Sequence, residues 1–137
     1  MLVVQLALFA VSTALSTAFG IRYLACRQYM PYHAVVAGRD WATLDGGLQA
    51  VILGMLRIVG GGLLATGVAT AWLMVGLYQG LAWAPWALLT LTFASTLPIL
   101  YVTVWLRRLQ PAARTPVLPA ALALAIGTLG SALSLLR

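Results

Sequence analysis

The sequence predicts an all-α integral membrane protein, a four-helix bundle, and three observations predict it. Of its 137 residues, 63% are hydrophobic and 7% charged, where a soluble domain carries about 25% charged residues. So few charges do not furnish a water-facing surface. The charges are also confined to short stretches, leaving uncharged runs long enough to cross a bilayer. Those runs are continuously apolar rather than alternating, which excludes the strand pattern of a membrane β-barrel.

A hydrocarbon core of about 30 Å needs about 20 apolar residues in a helix. No charge lies between Met1 and Arg22, so the first span covers about 2–25. It lacks the basic flank of a signal peptide and is longer than the apolar segment of one, so it reads as a retained helix. From Ile58 to Leu106 there are 49 uncharged residues, enough for two spans, with the turn signal at Tyr78-Gln79-Gly80 through Pro85. Arg107, Arg108, Arg114 and three prolines separate the third span, about 86–106, from the fourth, about 117–136.

The second helix is expected to exceed the membrane. Asp45 is a good N-cap, and a helix over 46–79 would be about 51 Å long at 1.5 Å per residue. Its first part, 46–57, is read as an amphipathic cytoplasmic-side segment: Trp41, Leu44, Leu48, Val51 and Met55 follow helical spacing, with Asp45 and Gln49 on another face. That places Arg57 near the interface, snorkelling or pairing with Asp40 or Asp45, and makes it a ligand candidate.

Seven of the eight arginines fall in the first and third connections. The positive-inside rule then makes those connections cytoplasmic and both termini periplasmic, in a bacterial inner membrane. Packing between helices is expected at small residues: Ser12, Ser16 and Gly20 in the first span, Gly60, Gly61 and Gly62 in the second, Gly127 and Ser131 in the fourth. Pro98 interrupts the third span, and Thr92, Ser95 and Thr96 are candidates to satisfy the carbonyls it frees.

Chemistry-bearing residues concentrate in the first connection. His33 is the single histidine and Cys26 the single cysteine, so zinc and iron–sulfur sites lack ligands and no metal or other cofactor is expected. His33 has possible orienting carboxylates in Asp40 and Asp45, as a general base would want, but no nucleophile at a recognisable spacing. No span contains Asp or Glu, which argues against proton-coupled drug exchange. The candidate ligand- or partner-binding residues are Tyr32, His33, Arg39, Asp40, Asp45 and Arg57; none is assigned as catalytic.

The segment Met30-Pro31-Tyr32-His33-Ala34, with Gly38, Trp41, Leu48-Gln49-Ala50, Arg57 and Gly60-Gly61-Gly62, resembles a recurrent pattern of small bacterial four-helix inner-membrane proteins. The resemblance covers about residues 22–65. It implies the membrane class, carries no activity, and raises His33 and Arg57 as site candidates. The leading functional expectation is a non-enzymatic protein that binds a partner or ligand through its first cytoplasmic connection. A small transporter or channel comes second, and an enzyme acting on a lipid-soluble substrate third. The expected surroundings are the lipid bilayer, with a second copy or another membrane protein as partner and no nucleic acid.

Overall fold

In a computed structural model, described over residues 1–136, the chain is all-helical. Its elements are α1 (Leu2–Ala25), α2 (Pro31–Ala37), a single 3-10 turn (Trp41–Thr43), α3 (Gly46–Tyr78), α4 (Ala84–Leu109) and α5 (Val117–Leu135). Four of these, α1, α3, α4 and α5, are long and apolar enough to cross a membrane. The protein is a multi-pass membrane helical bundle. Packing runs in a closed order: α1 against α3, α3 against α4, α4 against α5 and α5 back against α1.

The bundle has small and polar residues inside and large apolar residues outside. Gln5, Thr70, Thr103, Thr115, Ser131 and Ser134 are buried, while Val3, Ile58, Val68, Trp72, Tyr101 and Leu118 are exposed. In water this arrangement would be unstable, because contiguous apolar surface of that extent drives association. In lipid it is expected: hydrocarbon solvates the large side chains, and association relies on close backbone approach and hydrogen bonds. Trp83 and Trp86 are exposed at one end and Trp105 towards the other, where the two aromatic belts would lie.

The closest approach is between antiparallel α1 and α3. A Cβ on Gly20 would lie 3.0 Å from the Gly60 carbonyl oxygen and 2.9 Å from Leu64 Cγ. A Cβ on Gly60 would lie 2.9 Å from both the Gly20 carbonyl oxygen and the Leu24 amide nitrogen. One face of each helix is therefore backbone against backbone. The expected run of three glycines narrows to one: nothing lies within 4 Å of a Cβ at Gly61 or Gly62, which are turned outwards. Successive helical residues are rotated by about 100°, so only one of three neighbours can face the partner.

The other seams use the same device. Gly127 takes Thr92 of α4 against it, at 2.6 Å from Oγ1 to the position of its Cβ, and Gly130 takes the ring of Phe9. Ser131, fully buried, donates back to the Gly127 carbonyl at 3.0 Å. Ser12 and Ser16 are half-buried on α1. Gln5 is fully buried and donates through Nε2 to the Leu133 carbonyl at 2.7 Å, tying α1 to α5. Around it Phe9, Leu77, Ala84 and Leu88 form the hydrophobic core, with Leu2, Leu6, Leu73 and Met74 against them. Gln5 and this core lie at one end of the bundle, where α3 turns into α4 through Gly80 in the left-handed conformation, φ +74°.

At the other end α3 outruns its neighbour. Gly60 faces Leu24, next to the last residue of α1, so Arg57 stands about one turn beyond the α1–α3 contact. The eleven residues before Arg57 project past it. Leu48, Val51 and Met55 are exposed on this projection, Gln49, Ile52 and Leu53 are half-buried, and Leu56 is buried. Gln49 bridges to the first connection. Its Nε2 donates to the carbonyls of Trp41 and Leu44, at 2.9 and 3.2 Å. Asp45 caps the helix, Oδ1 accepting from the Leu48 amide at 2.9 Å. Twelve residues separate it from Arg57, about 18 Å along the axis, which removes Asp45 as the expected ion-pair partner.

Pro98 lies within an unbroken α4. Ser95 and Thr96 donate to the carbonyls of Leu91 and Thr92, at 2.7 and 2.5 Å. The carbonyl that a proline at 98 frees belongs to Ala94, so these hydroxyls serve the turn before it instead.

Because Gly60 faces backbone and Gly61 faces outwards, the two should respond oppositely to one substitution. Gly60→Leu is expected to cost at least 1–3 kcal/mol, the usual range for overpacking, and to lower the thermal midpoint in detergent by several degrees. Gly61→Leu should leave it within a degree. Equal loss in both variants would place the helix contact elsewhere.

Candidate functional site

The first connection, expected as a loop, is a folded cap. Pro31 sits at the first helical position of α2, where its missing N–H is not needed, and Gly38 ends the helix at φ 62°. Tyr29 and Met30 are buried beneath it. The Tyr29 hydroxyl donates to the Arg39 carbonyl, and its ring meets Trp41 edge-on at 5.0 Å. With the Gln49 bridges, these contacts close residues 26–45 over the end of the bundle.

His33 has a structural role here. Its Nδ1 accepts from the Met30 amide at 3.2 Å, capping the first turn of α2, as a glutamine at the same position would. The acceptor must be unprotonated, and burial pushes the imidazole below its ordinary value of 6.5. Among the described residues no group of three or more His, Cys, Asp or Glu is placed to hold a metal.

Tyr32, beside His33 with ring centroids 4.1 Å apart, points back to the bundle. Its hydroxyl lies 2.6 Å from that of Tyr23 in α1. Burial above all, then the hydrogen bond to Tyr23, pushes the Tyr32 phenol far above its usual range, against the opposing charge of Arg22. One proton links the pair, and the other is free for a further acceptor.

These two tyrosines border a pocket of about 130 Å³ whose lining also includes Arg22, Arg114 and Met30. Arg22 lies in the last turn of α1. Arg114 lies in the α4–α5 connection, held on both sides: Ala113 and Thr115 are buried, and the Thr115 hydroxyl donates to the Thr103 carbonyl at 3.0 Å. No carboxylate lines the pocket. Two exposed arginines therefore border one recess with a spare hydroxyl donor, an arrangement suited to a phosphate or carboxylate.

Phe19, Tyr23 and Pro116 also line a second cavity of about 100 Å³, deeper in the bundle and bounded by all four long helices. Leu15, Leu63, Ile99 and Ala120 are among its walls. Hydroxyls line it too, but most are committed: Thr66 donates to the Gly62 carbonyl, Ser95 to Leu91, Thr96 to Thr92 and Thr103 to Leu100. The cavity therefore presents a predominantly apolar wall.

Of the residues expected to bind, the structure brings only Tyr32 into this pocket. Arg39, Asp40, Asp45 and Arg57 are exposed outside its lining. Arg22, Tyr23 and Arg114 were not among the expected site residues. The available signal was that each arginine borders a long apolar segment on the arginine-rich side. No protein family, curated protein or solved structure matches the chain.

The His33 cap predicts a pH dependence. An unfolded chain binds the imidazole proton near pH 6.5, while the folded protein binds it only at lower pH. The unfolded state thus binds more protons in that window, and stability falls as pH falls. The contribution is complete above about pH 6.5 and is lost below it. The thermal midpoint should drop between pH 7.5 and 5.5. His33→Gln should keep the midpoint of pH 7.5 and flatten the slope; an unchanged slope would assign the titration to another group.

Proposed function

We propose that this protein is a component of the bacterial inner membrane that binds an anionic ligand at the cytoplasmic interface, in the pocket between its first connection and the α4–α5 connection. The observation that carries the reading is that Arg22 and Arg114, 92 positions apart, border one recess with no carboxylate among the described residues that line it. The sidedness rests on the distribution of arginines: seven of eight belong to the two connections at this end, which makes it the cytoplasmic one and both termini periplasmic. Basic pockets between transmembrane helices on that side are suited to anionic headgroups.

This keeps the expectation of binding through the first connection, but moves its centre from His33 to Tyr32 and the two arginines. A transporter is the second reading, favoured by the cavity below the pocket. Against it stands the lack of a polar path: no charged side chain lines that cavity, and four of its hydroxyls are turned to their own helices. For an enzyme no constellation supports a step, since the imidazole Nδ1 is used as a helix cap.

The test uses glycerol 3-phosphate as a soluble anion and glycerol as its control, with thermal aggregation in sealed membrane vesicles as the readout. A ligand that binds the folded state raises the midpoint by mass action. In inside-out vesicles a millimolar concentration should raise it by a few degrees, and Arg22→Gln and Arg114→Gln should each remove most of the rise. Right-side-out vesicles should show none. A rise that survives both substitutions, or that glycerol reproduces, contradicts the proposal.

A further inference from the structure

The arginine pocket and the deeper cavity share Phe19, Tyr23 and Pro116 as walls. One is polar and basic at the bundle's end; the other is predominantly apolar and runs inwards between all four helices. Resting on the anion-binding reading above, we propose that they form one site, and that its ligand is an anionic amphiphile with a phosphomonoester headgroup on a single hydrocarbon chain.

Three observations lead to that chemistry. The first is charge: Arg22, Arg114 and the unspent hydroxyl proton of the Tyr23–Tyr32 pair offer only donors. A phosphate monoester accepts several charge-assisted hydrogen bonds at once, and paired guanidiniums match it. The second is the cavity's wall. With most of its hydroxyls bonded to backbone carbonyls, it offers almost nothing to water, and an apolar cavity of this kind stays dry. A dry void of about 100 Å³ leaves its lining atoms without partners on one side. A hydrocarbon chain restores those contacts.

The third observation is where the void lies. The hydrophobic core, Phe9, Leu77, Ala84 and Leu88, fills the opposite end of the bundle. Towards the arginines the Gly20–Gly60 seam holds α1 against α3, while Thr92 and Gly127 meet nearer the middle of the bundle. The cavity lies on the arginine side of Thr92 and Gly127 and shares three walls with the headgroup pocket. A membrane amphiphile arrives with its headgroup at the interface and its chain pointing into the hydrocarbon, in the orientation the two compartments require. It also arrives at the high effective concentration of a molecule confined to the membrane. A cavity of about 100 Å³ takes part of one chain between the helices and has no room for a second beside it.

Chain packing, rather than transfer from water, supplies the chain's contribution, because lipid outside the bundle is equally apolar. The headgroup therefore decides which amphiphile binds, and the cavity decides whether it stays.

The experiment measures the thermal midpoint of the purified full-length protein in micelles doped with lipids at equal mole fraction. Oleoyl lysophosphatidic acid should stabilise it with an apparent affinity at least tenfold above that of oleoyl lysophosphatidylcholine or monoolein. Ser16 of α1 and Ala123 of α5 also line the cavity and not the arginine pocket; Ser16→Leu and Ala123→Leu, made separately so that one survives if the other misfolds, each narrow the cavity without touching an arginine. They should weaken lysophosphatidic acid at least fivefold while leaving the response to glycerol 3-phosphate unchanged. Arg22→Gln should weaken both ligands. If the cavity variants bind lysophosphatidic acid as the parent does, the chain lies elsewhere and the proposal falls, while the anion-binding reading stands on its own glycerol 3-phosphate result. Equal affinity for monoolein, or for dioleoyl phosphatidic acid, overturns the headgroup or the single-chain claim respectively.

Discussion

The backbones of α1 and α3 touch where Gly20 meets Gly60, and the rest of the molecule is arranged by that contact. No side chain intervenes: a Cβ on either glycine would come within about 3 Å of the other helix's carbonyl oxygen. The contact fixes the antiparallel register of the pair. That register stands Arg57 just beyond the end of α1 and sends the first third of α3 past the bundle. The projecting turns give Gln49 a place from which to hold the carbonyls of Trp41 and Leu44. The connection that it holds then folds back and delivers Tyr32 to Tyr23. The site at the arginine end is a consequence of a glycine pair in the membrane.

The asymmetry of the bundle has the same origin. At the end away from the arginines the helices interlock through Phe9 against Gly130 and Gln5 against the Leu133 carbonyl, around a small apolar core. Gln5 makes one strong bond, and its Oε1 is buried without a partner among the described residues. Such a group is costly in an apolar surrounding, and its single bond fixes the pairing of α1 with α5. Towards the arginines, the Gly20–Gly60 seam holds α1 against α3, and the space among the four helices beyond Thr92 and Gly127 is left unfilled. The bundle is thus closely packed around Phe9 and Leu88 and holds its cavity on the arginine side.

Much of this architecture was legible in the sequence, because charge in lipid is expensive and its positions mark where helices must end. Gly46–Tyr78 emerged as one long helix from the Asp45 cap and the uncharged run after Arg57, and the four spans followed from the same reasoning. The rotation of each helix was not legible. Gly60, Gly61 and Gly62 are chemically alike, and only the tertiary contact distinguishes the one that faces α1. Helix α2 was missed although Pro31 and Gly38 bracket it as a first-turn proline and a terminal glycine do; at seven residues it has no independent stability, and the burial of Tyr29 and Met30 beneath it is a tertiary fact. The arginine pocket was missed for a related reason. Arg22 and Arg114 are 92 positions apart, and reading the chain by local concentration of polar residues favours Arg39, Asp40 and Asp45, which lie outside the pocket's lining.

The central claim is that α1 and α3 approach backbone to backbone in an antiparallel register with Gly67 against Thr17, whose Oγ1 lies 2.7 Å from where a Gly67 Cβ would be. In a Thr17→Cys variant the sulfur takes the place of that Oγ1, which sets it beside the Gly67 Cβ, as a disulfide between the two positions requires. The most direct measurement is cross-linking of Thr17→Cys with Gly67→Cys, in a Cys26→Ser background, in native membranes under mild oxidation. The structure predicts rapid and nearly complete intramolecular disulfide formation, with none for the outward-facing pair Val11→Cys and Val68→Cys. A Thr17–Gly67 pair that remains reduced while the outward pair cross-links would contradict the register, and with it the placement of the site.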